Sequence, residues 1–250
     1  MALVARIAVS ALTRPPRHSL GDDRSQVADL HVPRGPGPFP VVVLLHGGYW
    51  RTKYGRLITR PLARDLVDRG FAAWNLEYRR VGTGRGGGGG WPMTFDDVAN
   101  GIDALATLQD PRLDLDRVAV VGHSAGGQLA LWSAARRNAK VEPQRVVALA
   151  PVTDLLRTGE RAHALLGGTP DQVPERFAAA DPLQNVPLPV PVLIVHPQDD
   201  ETIPVRRSRA YAEKSGANVT LVEPPAGGHR SPTDPATDAW RTAAEWLQAS

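Results

Sequence analysis

A serine hydroxyl, an imidazole and a carboxylate acting in series can transfer an acyl group, and this chain holds each of the three in a setting suited to that chemistry. Gly122-His123-Ser124-Ala125-Gly126 follows the apolar run Val118-Ala119-Val120-Val121 and leads into Gln128-Leu129-Ala130-Leu131-Trp132. Ser124 is therefore expected at a strand-to-helix corner flanked by glycines. Such a corner is a nucleophile elbow: the turn forces the serine into a strained backbone conformation with Oγ thrust outward, and crowded backbones require tiny residues two before and two after it. A plain Gly-Ser turn would carry the same letters. The strand before and the helix after are the context that separates the two.

A serine hydroxyl is a poor nucleophile near neutral pH, so it needs a base within hydrogen-bonding reach and a carboxylate behind that base to fix its tautomer. After an elbow of this kind the acid comes next in the chain and the histidine last. Three histidines follow Ser124, namely His163, His196 and His229. His163 falls in a helical insert, and His196 ends a strand ahead of the candidate acids. His229 sits in Pro224-Pro225-Ala226-Gly227-Gly228-His229, a turn between the last strand and the last helix, and is the expected base. The acid is expected in His196-Pro197-Gln198-Asp199-Asp200-Glu201-Thr202-Ile203-Pro204. Asp200 is favoured over Asp199 because it precedes the helix start by a few residues, and Glu201 is expected to face solvent or the helix N-terminus. Asp154, after an earlier strand, is a further candidate.

Attack on a carbonyl builds negative charge on its oxygen, which preorganised backbone N–H groups stabilise. One donor is expected from Ala125, at the start of the helix after the serine, and others from the Gly47-Gly48-Tyr49 turn of His46-Gly47-Gly48-Tyr49-Trp50. Glycine suits that turn because a Cβ would obstruct both substrate and backbone. His46 is expected to order the loop rather than move protons. Tyr49, Trp91 and His123 are the candidates for touching substrate. Trp50, Trp74, Trp132 and, as its simpler reading, Trp91 are core or rim aromatics.

These residues need a scaffold, and the hydrophobic pattern supplies one. Buried strands are expected at 25–32, 40–45, 71–78, 118–121, 145–150, 190–195 and 218–222, and helices at 57–69, 95–108, 125–137, 205–214 and 237–248. Thr94 is expected to cap the second of these helices. Apolar strands alternating with helices imply a doubly wound, mostly parallel α/β sheet whose ligands lie at the carboxyl ends of the strands. Residues 155–188 read as a small cap or insert. Residues 1–20 read as a loosely attached start, with an edge strand over 6–12. The five glycines Gly86 to Gly90 are expected to form a mobile loop, either a plain flexible connection or a lining of a substrate entrance.

At 250 residues, 42% hydrophobic and 22% charged, the chain suits one globular domain. The net charge of +3 comes from arginines scattered among acids rather than gathered in a stripe, so no nucleic-acid partner is expected. The absence of cysteine removes disulfides, thiolate nucleophiles and Cys-ligated metal sites. No apolar run reaches the length of a membrane span and no leader pattern stands out, so a soluble, cytoplasmic protein with no membrane partner is expected. Neither a metal nor a cofactor is called for.

The joined pattern, His46-Gly47-Gly48-Tyr49-Trp50 with Gly122-His123-Ser124-Ala125-Gly126-Gly127 and then Asp200 and His229, resembles the α/β-hydrolase superfamily. Within it the pattern resembles the kynurenine formamidase (arylformamidase)-like esterases with their H-G-G-x-W loop, a loop shared with small carboxylesterases and prolyl-oligopeptidase-type hydrolases. The likeness runs from about Gln26 to Trp246. It implies Ser124, Asp200 and His229 as a triad and Gly48, Tyr49 and Ala125 as oxyanion donors. It also implies hydrolysis of a small ester or aryl-formamide without a cofactor. Pro197 departs from the glycine usual after the strand-end histidine, which leaves the path of the acid loop open. A prolyl-oligopeptidase-type peptidase and a non-catalytic binding protein on the same scaffold are the rival readings.

Overall fold

A computed structural model describes residues 15–249 of the chain. Eight strands form one sheet: β1 (Arg17–Ser19), β2 (Val27–His31), β3 (Phe39–Leu45), β4 (Ala72–Leu76), β5 (Leu113–His123), β6 (Arg145–Leu149), β7 (Val192–Val195) and β8 (Val219–Val222). Their order across the sheet is β1-β2-β4-β3-β5-β6-β7-β8. β1 and β2 run antiparallel to their neighbours, and every pairing from β4 to β8 is parallel. This is the α/β-hydrolase fold. Arg17–Ser19, expected within the loosely attached start, is hydrogen-bonded to β2 as the edge strand. The strand expected over 6–12 lies outside the described residues.

Seven α-helices accompany the sheet among the described residues: α1 (Arg60–Asp68), α2 (Met93–Asp103), α3 (Ala125–Ala134), α4 (Glu160–Leu166), α5 (Pro174–Ala180), α6 (Arg206–Ser215) and α7 (Asp238–Gln248). Because side chains alternate along a strand, β3 feeds two cores. Val41, Val43 and Leu45 pack on one side with Phe95 and Val98 of α2 and Leu129 of α3. Val42 and Leu44 pack on the other with Leu62 and Leu66 of α1 and Trp240 and Ala243 of α7. Both faces of the sheet are thus covered, which is why its strands read as continuous apolar runs rather than alternating ones. α4 and α5 form the insert between β6 and β7 and bury Ala162, Leu165 and Phe177 in the first core.

Two local expectations are corrected. Thr94 lies inside α2 rather than capping it; its hydroxyl accepts from Gly90 N at 2.9 Å and donates to Arg79 O at 2.7 Å, tying the loop before the helix to its base. The glycine run is not a free tether. Gly86 O accepts from Arg80 N, and the N–H groups of Gly87, Gly88 and Gly89 reach Gly84 O, Gly82 O and Arg80 O at 2.8–2.9 Å. Gly86, Gly88 and Gly90 all have positive φ, and a Cβ on Gly89 would strike the carbonyl of Arg79. Glycine is required there because backbone packs on backbone, a need that composition does not reveal. Among the described residues, no helix is long and apolar enough to cross a membrane.

Candidate active site

β5 delivers Ser124 to the carboxyl edge of the sheet, and α3 starts at the next residue. Ser124 has φ 56° and ψ −116°, a conformation that costs energy for any residue with a side chain. Neighbouring hydrogen bonds hold it there: its N–H donates to Leu149 O at 2.9 Å, and its carbonyl accepts from Gln128 N at 3.1 Å and Val152 N at 3.2 Å. A Cβ on Gly122 would collide with the carbonyl of Gly126, and one on Gly126 would collide with the carbonyl of Leu45. The glycines therefore let β3, β5 and α3 meet at one point.

Ser124 opens onto a cavity of about 800 Å³ whose wall includes Gly47, Gly48, Tyr49, His123, Asp199 and His229. His229 follows β8 and precedes α7, as its sequence position suggests. Its Nδ1 lies 2.7 Å from Oδ2 of Asp200, whose side chain is wholly buried. Oδ1 of Asp200 accepts from Thr202 N at 2.8 Å and Ile203 N at 2.9 Å. Burial pushes the Asp200 carboxyl up, but His196, His229 and the Ile203 N–H outweigh it and hold the group far below the usual carboxylate range. The neighbouring Asp199 does different work. Its carboxylate accepts from Gly227 N at 3.0 Å and Gly228 N at 2.8 Å, fixing the backbone that leads into His229. Glu201 is exposed on the cavity rim. Asp154 is absent from the wall; it accepts from Arg157 N at 3.0 Å at the entry to the insert.

The opposite wall is the turn after β3. Gly48 has φ 120°, and Tyr49 and Trp50 have φ 54° and 55°. A Cβ on Gly48 would lie 2.6 Å from the ring of Tyr54, so glycine is obligatory. Beneath this strained turn, His46 is buried with Nδ1 2.8 Å from Gly47 O and Nε2 2.7 Å from Glu77 Oε1, and its ring is stacked on Tyr78 at 4.3 Å. Burial raises the Glu77 carboxyl, but His46, Arg80 and the Arg56 N–H bring it down to about 2. Trp50 is fully buried, and its Nε1 donates to Gln128 Oε1 at 3.1 Å, so the turn is pinned to α3.

Of the residues expected to touch substrate, Tyr49 and His123 line the cavity and Trp91 does not. The Trp91 ring packs 5.0 Å from Phe95, and the backbone N–H of Trp91 donates to Leu165 O, which joins this residue to the insert instead. Tyr54, Ile58, Thr202, Arg230 and Thr233 complete the wall and were not singled out by the sequence pattern. They carry no motif; only their neighbours in the chain, the glycine turn and the acid and histidine loops, pointed to their region. The insert contributes no residue to the wall.

The BD-FAE family model matches residues 28–214, three-quarters of the chain, from β2 through the elbow and the Asp200 loop to α6. This chain belongs to the BD-FAE family. His229 lies beyond the matched stretch. This BD-FAE protein is similar to "Uncharacterized peptidase YtmA" of Bacillus subtilis (strain 168), 26% identical over 197 residues that cover 74% of this chain and 72% of that protein. It is also similar to "Probable carboxylic ester hydrolase LipM" of Mycobacterium tuberculosis, 23% identical over 71% of this chain but only 45% of the relative's length. Among solved structures, a truncated carbohydrate esterase from gut microbiota superposes with a TM-score of 0.81, 17% identity and coverage of 95% of this chain and 96% of the other. At that identity the likeness is one of fold.

Proposed function

We propose that this protein is a cofactor-independent serine hydrolase that cleaves small carboxylic esters through an acyl-enzyme. The observation that carries the reading is the 2.7 Å contact between His229 Nδ1 and the buried Asp200 carboxylate, on an imidazole that shares a cavity wall with the strained elbow serine. With Nδ1–H donated to Asp200, the lone pair of His229 is left on Nε2, the nitrogen that must act as base. Ser124 Oγ attacks the ester carbonyl while Nε2 takes its proton. The C–O bond to the leaving alcohol then breaks as the imidazolium returns that proton to the alkoxide. Water repeats the sequence, releasing the acid and restoring the hydroxyl. The N–H groups of Gly48, Tyr49 and Ala125 are the proposed oxyanion donors. Tyr49 and His123 would border the acyl or alcohol portion.

The ester reading is supported by the name of LipM. Aryl-formamides share the same carbonyl chemistry, and the name of YtmA brings in peptides. The test is turnover of short p-nitrophenyl esters, N-formylkynurenine and a prolyl peptide by the wild type and by Ser124→Ala, with fluorophosphonate labelling of both. Esters are expected to be the best substrates, Ser124→Ala to lose more than about a thousandfold in turnover, and only the wild type to take the label. Equal turnover by both proteins, or no turnover and no labelling of the wild type, would refute the proposal.

A further inference from the structure

Asp200 faces two imidazoles. Oδ2, the oxygen that meets His229, also lies 3.1 Å from Nε2 of His196, and both side chains of that second contact are fully buried. His196 terminates β7, and its ring is fixed on both edges. Nε2 is 2.9 Å from Ile203 O as well as near Asp200, so it faces only acceptors and must carry a proton. Nδ1 is 2.7 Å from Oγ of Ser208, on the first turns of α6, and in the neutral ring its lone pair accepts from that hydroxyl. The order Ser208, His196, Asp200, His229 is therefore a continuous line of polar contacts from the buried face of α6 to the cavity wall.

We infer that His196, set by Ser208, is a positioning residue that holds the Asp200 carboxylate toward His229 and draws charge from the oxygen the two imidazoles share. The inference rests on the triad reading above. The Nε2–H of His196 is hydrogen-bonded to Ile203 O, and the same polar edge lies 3.1 Å from Oδ2, so it offsets part of the charge on that oxygen and makes it a weaker acceptor for His229. The Nδ1–H of His229 thus meets an oxygen whose charge a second imidazole already offsets. The other groups around this line are few. His229 has the His123 ring at 4.7 Å, Arg230 beside it in the chain, and Asp199 and Glu201 in the facing loop. His196 has Glu223, just beyond β8, within electrostatic reach. None of these stands between His196 and Asp200, so substitution at His196 reaches His229 through the Asp200 carboxylate, directly at Oδ2 and by way of Ile203, whose carbonyl meets His196 and whose N–H meets Oδ1.

The experiment is the pH dependence of kcat and KM on a short p-nitrophenyl ester for the wild type, His196→Leu, His196→Asn and Ser208→Ala, with Ser124→Ala alongside. His196→Leu is expected to lower kcat by roughly tenfold, the size of one close polar contact to a charged group, with KM little changed. Its acid limb should move to higher pH, because the Asp200 carboxylate then keeps more of its charge to hold an imidazolium. His196→Asn keeps an N–H and should recover part of both effects, and Ser208→Ala should shift the limb in the same direction by less. In an Asp200→Asn background, His196→Leu should cost nothing further. An unmoved acid limb in His196→Leu, or a full additive loss in the Asp200→Asn background, would overturn the inference. If His196→Leu does not fold, Ser208→Ala decides by the same limb. Wild-type turnover by Ser124→Ala would instead bring down the hydrolase reading itself, and the inference with it.

Discussion

His123, the residue before the elbow serine, donates Nε2–H to the backbone carbonyl of His229 across 2.8 Å, and the two rings lie 4.7 Å apart. One side of the cavity is thus tied to the other by the residue adjacent to Ser124. Replacing His123 by Ala removes the tie without touching any proposed catalytic atom. The expected result is a fall in kcat of roughly three- to tenfold, the range for one neutral hydrogen bond, with intact fluorophosphonate labelling of Ser124 at a reduced rate. Steady-state kinetics and labelling time courses check it.

Burial, and then the charge of His229, lower the His123 pKa from its ordinary 6.5 to about 3. Between those two values the unfolded chain binds a proton that the folded protein refuses, so stability rises with pH across the window and is lost as pH falls through it. Burial acts likewise on His31, lowered to about 4. Chemical denaturation at pH 7 and pH 4.5 is expected to show a loss to which His123 contributes on the order of 2 kcal/mol. His123→Gln, which cannot gain a proton but keeps an N–H, should lose less over the same interval.

The glycine run offers a contrast within a single loop. Gly88 has φ 77° with nothing within 4 Å of a Cβ, whereas a Cβ on Gly89 would overlap the Arg79 carbonyl. Gly88→Ala is expected to cost about 1–2 kcal/mol from backbone strain alone. Gly89→Ala, which must displace backbone, is expected to cost more than about 2 kcal/mol. Denaturant midpoints of the two variants measured together decide the order.

Gln128 bridges two parts of the molecule: Oε1 accepts from Trp50 Nε1 at 3.1 Å, and Nε2 donates to Ala180 O at 2.9 Å. Gln128→Leu would leave the buried indole N–H of Trp50 unsatisfied and free the glycine turn from α3. A destabilisation of about 1–3 kcal/mol is expected. If the turn supplies oxyanion donors, kcat should fall while KM stays close to the wild-type value, because the lost interaction belongs to the transition state.

Much of this architecture is written in short-range pattern. The apolar runs of β3 and β6 announce a sheet covered on both faces, and glycines at 122 and 126 mark the only geometry in which three backbones meet. The side chains that face one another across loops are another matter. Asp199 and Asp200 are adjacent in the chain, yet one holds the N–H groups of Gly227 and Gly228 and the other the His229 ring. That division depends on how the acid loop turns back after Pro197, which a single residue's identity does not encode. His196 is legible as a strand end but not as a partner of Asp200, because their contact arises from a reversal of the chain over four residues. Trp91 takes the simpler of its two readings, a core aromatic rather than a substrate contact, because its ring packs on Phe95 and the core beneath it.

The central claim is that Ser124 and His229 act as a single catalytic unit, and the rate of the double variant addresses it directly. Turnover of a p-nitrophenyl ester by Ser124→Ala and by Ser124→Ala with His229→Ala should be the same within experimental spread, each reduced by more than about a thousandfold from the wild type, because a base without its nucleophile has nothing left to contribute. A double variant slower than Ser124→Ala by the full factor that His229→Ala costs alone would show two independent contributions and contradict the account.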